Sequence, residues 1–251
     1  MLSIKQPEID LEVCELLPWD SEFFGFRIAR LHGGFLTEVL AEEALDWCRQ
    51  EDVRCLYFLS AGDHPGTRWI AETSRFQLMD ARTTLSRGIG SPTFQGVFPM
   101  VRQYEPGDLP VLEQIARDSH RETRFYNDPQ FDRRRCDELY LTWIRRSCQG
   151  WADEVLVAGF ANAPVGYITC HLESDGTGSI GLVAVDSNCR SQGVGRQLLL
   201  AALSYFRKAG MREVKVVTQG RNAEALNLYL RCGFEVERTE TWYHRWFRTE
   251  K

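Results

Sequence analysis

The sequence predicts an α/β fold of the α+β kind, a mixed sheet with flanking helices preceded by a smaller α/β N-terminal domain. Three observations carry this. The runs EVLVAGF, VGYITCHLE and SIGLVAV, between residues 154 and 185, follow one another with only turn residues between them, which predicts antiparallel neighbours. From Val194 onward helical and strand patterns alternate, which predicts a crossover and a parallel pair. The first ninety residues repeat that closing order more faintly.

In chain order, FRIARL, EEALDWCRQEDVRCLYFLS and TRWIAETSRFQLMDARTTLSR read as strand, helix, strand, helix, strand, strand. The segment SRFQLMDARTTLSR matches CGFEVERTETWYHR near the C-terminus in spacing and residue type, so an internal duplication is expected. The earlier copy lacks any glycine loop and is expected to be structural. Gly88 to Pro99, GIGSPTFQGVFP, is rich in Gly and Pro and reads as the linker. It gives domains at 1–95 and 96–251. After it come a short strand, a turn at Pro106-Gly107 and a helix capped by Asp108, with apolar positions Leu109, Leu112 and Ile115. A second helix starts near Asp132 and carries Leu139, Trp143 and Ile144. The three central strands turn at Asn162-Ala163-Pro164 and at Asp175 to Gly178. Then follow a helix from Val194 to Lys208, the strand EVKVVTQ, the helix AEALNLYLRC, and two strands, FEVERTE and TWYHRWF.

With 251 residues and a net charge of -5, the chain has no basic footprint for nucleic acid or an anionic membrane. Its longest aliphatic run, Leu198 to Leu203, is far below the ~20 residues of a membrane span, and no secretory pattern opens the chain. A cytoplasmic protein is expected. The eight cysteines stand apart and read as reduced thiols, and neither CxxC nor HExxH occurs, so no metal is expected.

The informative loop is RSQGVG, Arg190 to Gly195, between a strand ending near Asp186 and the helix that begins at Val194. Glycines allow a sharp turn and let successive N–H groups approach a ligand, and a helix N-terminus favours phosphate. A structural strand-to-helix turn is the competing explanation. A Walker loop needs GK[ST], but Arg196 follows Gly195; a dinucleotide fingerprint needs a small residue where Leu198 stands. Further on, NAEALNLYLRCGFEVE opens with Asn222 and places Tyr229 two helical turns later on the same face.

Loop and helix together resemble the signatures of the GNAT N-acetyltransferases, over roughly residues 100–246. The resemblance implies acetyl-CoA as co-substrate. Val183, Ala184 and Val185 would pair with its pantetheine arm as an added strand. Arg190, Ser191, Gln192, Gly193, Val194, Gly195 and Arg196 would cradle its diphosphate, and Asn222 would contact pantetheine or simply cap its helix. Tyr229 would be the general acid that protonates the leaving thiolate, unless it is a core aromatic. The strand SIGLVAV would splay from EVKVVTQ at a bulge to open the thioester slot. His120, His171, Glu173 and Asp175 are candidate proton acceptors for the incoming amine.

WDSEFFGFRIARL, TRFYNDPQF with YLTWIRRSCQG, and VTQGRNAEALNLYLRCG are similar to the TDP-fucosamine acetyltransferase subgroup. That resemblance implies a nucleotide-sugar substrate, dTDP-4-amino-4,6-dideoxygalactose, acetylated at its 4-amino group for surface-glycan synthesis. Arg121, Arg124, Phe125 and Tyr126 would then pair its anionic groups and stack its base or sugar, unless the loop is merely solvated. A protein N-terminus as acceptor, or a non-catalytic acyl-CoA sensor, are the alternatives. The aromatic segment TWYHRWF would either pair subunits as a homodimer edge or be buried in the sheet.

Overall fold

The computed structural model describes residues 13–90, 100–160 and 163–248. They form two compact units, one of the described residues up to 79 together with those from 240 onward, the other of the described residues between 80 and 239. The division therefore does not follow the expected 1–95 and 96–251 domains. Much of the supposed linker, and Asn162 of one expected turn, lie outside the described residues.

The first unit holds β1 (Cys14–Leu16), α1 (Pro18–Phe24), β2 (Ile28–Leu31), α2 (Glu38–Gln50), β3 (Cys55–Ala61) and α3 (Pro65–Thr73). Thr37 caps α2 by accepting from the Leu40 N–H. Ala41, Ala44 and Cys48 on α2 bury one stripe against Leu31, Leu56 and Phe58. Strands run in the order β1-β2-β3-β10, with β2 and β3 parallel. The last of these, β10 (Glu235–Trp246), is one continuous strand where two were expected, and its residues 240–246 pair antiparallel with β3. Tyr243 is buried there with its ring 6.0 Å from Phe58, so this aromatic segment fills the sheet.

The second unit carries β4 (Gln77–Gly88) from its residue Asp80, then β5 (Val101–Gln103), α4 (Leu109–Ser119), α5 (Arg124–Asn127), α6 (Arg133–Arg146), β6 (Glu154–Phe160), β7 (Ala163–Leu172), β8 (Thr177–Val185), α7 (Val194–Lys208), β9 (Glu213–Gln219) and α8 (Ala223–Arg231). Its strand order is β4-β9-β8-β7-β6-β5, antiparallel except for β8 and β9. Alternate residues of the strands, Leu156, Ala158, Ile168, Cys170 and Ile180, pack with the apolar side of α7. Tyr167 and Thr169 face the other way, and Tyr167 meets His120 at the end of α4. Asp108 does not cap α4 through its side chain. Its carboxylate accepts from the Glu105 N–H at 2.9 Å and from both Arg102 terminal nitrogens at 2.7 Å.

The duplication seen in sequence has a counterpart in register. In one unit β10 pairs with β3, Glu240 facing Ala61 and Trp246 facing Cys55. In the other β4 pairs with β9, Arg82 facing Gln219 and Gly88 facing Glu213. One constant offset along the chain maps Ala61 on Gln219, Arg82 on Glu240, and α3 on α8. Each half of the repeat thus gives its last strand to the other half's sheet. Among the described residues all eight cysteines are free thiols, and no helix is long and apolar enough to cross a membrane.

Candidate functional site

The site is built around the place where β8 leaves β9. Their parallel pairing runs from Thr177 and Glu213 to Ile180 and Val216, and stops. On its other edge β8 stays paired with β7, but the register jumps: Ile168 faces Val183 while Cys170 faces Ile180. Thr169 thus opposes two residues, Gly181 and Leu182, which is a β-bulge. The Leu182 N–H freed by the bulge donates to Thr169 Oγ1 at 2.8 Å. Gly181 is required by space, since a Cβ there would lie 2.7 Å from His171 Nε2 and 2.8 Å from Thr169 Oγ1. The expected splay and bulge are therefore present, and Val183, Ala184 and Val185 line the parted edge. Sequence reasoning did not single out Gly181, although a lone glycine inside an apolar strand was the available sign.

Beyond Val185 the chain enters the glycine loop. Ser191, at φ 59°, and Gly193, at φ 82°, are both left-handed. Such residues beside ordinary ones turn successive N–H groups toward one side, making a concavity suited to anions. Gly193 is the N-cap of α7 and no side chain caps that end, which leaves the first-turn N–H groups as donors. Gly195 serves a different purpose: a Cβ there would press to 3.3 Å from Leu228 Cδ2 on α8. Arg190 donates from Nε to the Val185 carbonyl at 3.2 Å, and Gln192 from its amide to Asn188 O at 3.0 Å. Arg190, Ser191, Gln192 and Arg196 are exposed, and Val194 is buried. These groups fit a diphosphate: cationic side chains beside uncapped N–H donors.

Asn222 caps α8, its side-chain oxygen accepting from the Ala225 N–H at 3.0 Å, which leaves its NH2 group as a donor. Tyr229 is 4% exposed on the same helix, its ring 5.7 Å from Phe234. Burial pushes its hydroxyl well above the ordinary tyrosine range, so it stays protonated near neutrality.

The amine-side residues divide. His120 lies on the α4 face, its Nε2 3.1 Å from the Tyr167 hydroxyl and its ring stacked on Tyr140 at 4.6 Å. Burial, with a smaller effect from Arg190, pushes the imidazole down to about 4, so it is neutral at pH 7. Ala184 is the residue paired with Tyr167, which puts His120 beside the splayed end of β8. Glu173 and Asp175, by contrast, belong to the turn after β7, at the closed end where β8 still pairs with β9, and lie away from the opening. His171 pairs with Ser179 through its backbone, but its ring reaches the bulge at Gly181.

Of the loop residues, Arg121 is exposed and 3.8 Å from Asp118. Arg124 sits over the Phe125 ring at 4.5 Å. Phe125 is 4% exposed and meets Phe131 edge-on at 5.5 Å, so it is a core aromatic and does not present a face to a ligand. The Tyr126 hydroxyl donates to Asp137 at 2.5 Å, and its ring lies under Arg133. Stacking by this pair, as expected from sequence, is thus corrected for Phe125: in a helix of four residues, one side must face the interior.

Residues 112–234 match the Acetyltransferase (GNAT) family. A dTDP-fucosamine acetyltransferase of Escherichia coli O6:H1 is 26% identical over 234 residues, 92% of this chain and 97% of that protein. A spore coat polysaccharide biosynthesis protein of Bacillus subtilis is 30% identical over 142 residues, 57% of this chain, which spans about half (49%) of that relative's length. Among solved structures, a GCN5-related N-acetyltransferase from Sphaerobacter thermophilus superposes with a TM-score of 0.67 at 16% identity, covering 95% of this chain and 77% of that one.

Proposed function

We propose, from the premise that this chain belongs to the GNAT acetyltransferase family and is an acetyl-CoA-dependent N-acetyltransferase, that its acceptor is the 4-amino group of a dTDP-linked amino-dideoxy sugar, dTDP-4-amino-4,6-dideoxygalactose. One observation carries the chemistry. The glycine loop and the helix bearing Tyr229 converge, with Gly195 packed on Leu228, at the end of the sheet where β8 parts from β9.

Acetyl-CoA supplies a thioester when bound. In this reading the N–H groups of Val194 to Arg196 and the side chains of Arg190 and Arg196 hold its diphosphate. The edge of Val183 to Val185 takes the pantetheine arm, joined by the Asn222 amide. A bond forms between the sugar nitrogen and the acetyl carbon as the carbon–sulfur bond breaks. A Val183 N–H steadies the developing oxyanion. Tyr229 gives its proton to the sulfur and recovers one from the nitrogen, directly or through water. Because burial holds the phenol in its protonated form, the donor is ready at neutral pH. The amine attacks only when neutral, so an ammonium form first loses its extra proton to solvent.

Support for the sugar comes from the name of the relative aligned over 92% of the chain, and from the exposed Arg121 and half-buried Arg124 on the amine side. The test follows thiol release from acetyl-CoA with this sugar nucleotide, its glucose-configured epimer and a peptide N-terminus. Turnover confined to the galactose-configured sugar is expected, and Tyr229→Phe should lower kcat by about 10²–10⁴ while coenzyme A binding persists. Preferred turnover of the peptide would reject the sugar assignment.

A further inference from the structure

On the amine side of the second unit, Asp80 is 3% exposed, and a buried carboxylate is costly unless it is paired. Arg221 Nε lies 3.4 Å from its Oδ1, an ion pair not aligned as a hydrogen bond. The same guanidinium donates from Nη1 to Asn127 Oδ1 at 2.9 Å. Three segments distant in sequence therefore meet through one cation: β4, the turn from β9 into α8, and α5. The turn is also fixed directly, because Gly220 N donates to the Ala81 carbonyl at 2.7 Å. A Cβ on Gly220 would come within 2.8 Å of Ala81 Cβ, so no larger residue lets the turn lie this close. Immediately after Arg221 stands Asn222, the cap of the helix that carries Tyr229.

We propose that Asp80 is a positioning residue for acetyl transfer: it holds Arg221, which ties α5 on the amine side to the turn that opens the Tyr229 helix. The inference rests on the acetyltransferase reading of the site. Asp80 lies outside residues 112–234 that match the family, so this brace is a feature of the chain's own flanking strand. Around the carboxylate stand the Arg221 and Arg124 guanidinium groups and the Ala81 N–H, with the Tyr140 hydroxyl of α6 also within its electrostatic reach. Burial outweighs these favourable partners and raises the carboxyl to about 6. Protonation near that pH removes the charge that holds Arg221, so acetyl transfer should carry an acidic limb there.

The test uses the full chain with Asp80→Asn, Arg221→Ala and Asn127→Ala. The first readout is amide hydrogen exchange at Tyr126, Asn127 and Asp128, whose N–H groups donate to Thr123 O and Arg124 O. Each variant should speed exchange there by about tenfold, because the segment loses its tie. In steady-state kinetics the amine terms should suffer, kcat/KM for the amine falling on the order of tenfold while KM for acetyl-CoA holds. Asp80→Asn should also remove the added fall near pH 6, leaving only the decline set by protonation of the amine itself. Asp80→Asn combined with Arg221→Ala should be no worse than Arg221→Ala alone, since one acts through the other. Multiplying losses in the double variant, or unchanged exchange in all three single variants, would overturn the proposal. If the wild-type protein acetylates no amino sugar, the substrate assignment falls and exchange alone decides: faster exchange upholds the brace and unchanged exchange rejects it. If Asp80→Asn does not fold, Arg221→Ala and Asn127→Ala, at less buried positions, carry the same comparison.

Discussion

Gly181→Ala isolates the bulge that opens the sheet. The new methyl would sit 2.7 Å from His171 Nε2 and 2.8 Å from Thr169 Oγ1, both closer than a carbon tolerates. His171 is partly exposed and its ring can swing aside. Thr169 is fully buried and β-branched, and its Oγ1 is the acceptor that satisfies the Leu182 N–H. The strain therefore falls on the bulge itself. Overpacking of this kind costs about 1–3 kcal/mol. For a chain of this size that corresponds to roughly 2–12 °C in the melting temperature. If the bulge relaxes by losing its extra residue, every side chain from Leu182 to Val185 changes face. Acetyl transfer should then fall by far more than the stability loss explains. Calorimetry and steady-state kinetics with acetyl-CoA make the comparison, with Gly107→Ala as control, because a Cβ there meets nothing within 4 Å. A Gly181→Ala protein that melts and turns over like wild type would show that the bulge neither needs glycine nor shapes the site.

Other expectations follow from the same geometry. Gly193→Ala forces an L-residue at φ 82° at a cost of roughly 1–2 kcal/mol, so coenzyme A affinity by titration calorimetry should drop about 5- to 30-fold. Gly195→Ala, where the obstacle is Leu228 Cδ2, should weaken coenzyme A less and lower kcat instead, because it displaces α8. His120 is held neutral with its folded value, about 4, below the unfolded one near 6.5. Its contribution to stability is thus complete above about pH 6.5 and lost as pH falls toward 4, and His120→Phe should flatten that slope in urea titrations at stepped pH. Asp108 is displaced the opposite way, its carboxyl lowered first by the Arg102 bond. It should stabilise the fold above its unfolded value near 4 and lose that contribution as pH drops further, and Asp108→Asn should cost about 1.5–3 kcal/mol at pH 7 in denaturant unfolding.

What the sequence determined by itself was local. The turn RSQGVG, the Asn222 cap and the spacing to Tyr229 each depend on residues within two or three turns of one another, where glycine geometry and capping chemistry leave few options. The three antiparallel strands and the following crossover were legible for the same reason, since alternation and turn residues encode them directly. The faint repeat was also visible, but the exchange of last strands was not, because β4 and β10 carry the same pattern whichever sheet they join. Tertiary structure decided that partner choice, and with it the continuous β10 where two strands had been expected. It also turned Phe125 into the core, took Asp108 away from the helix cap to pair with Arg102, and left Glu173 and Asp175 at the closed end of the sheet. Asp80 and Arg221 show the limit most clearly. Nothing local distinguishes either residue, and only the pairing of β4 with β9 brings a buried carboxylate beside the turn that opens the Tyr229 helix.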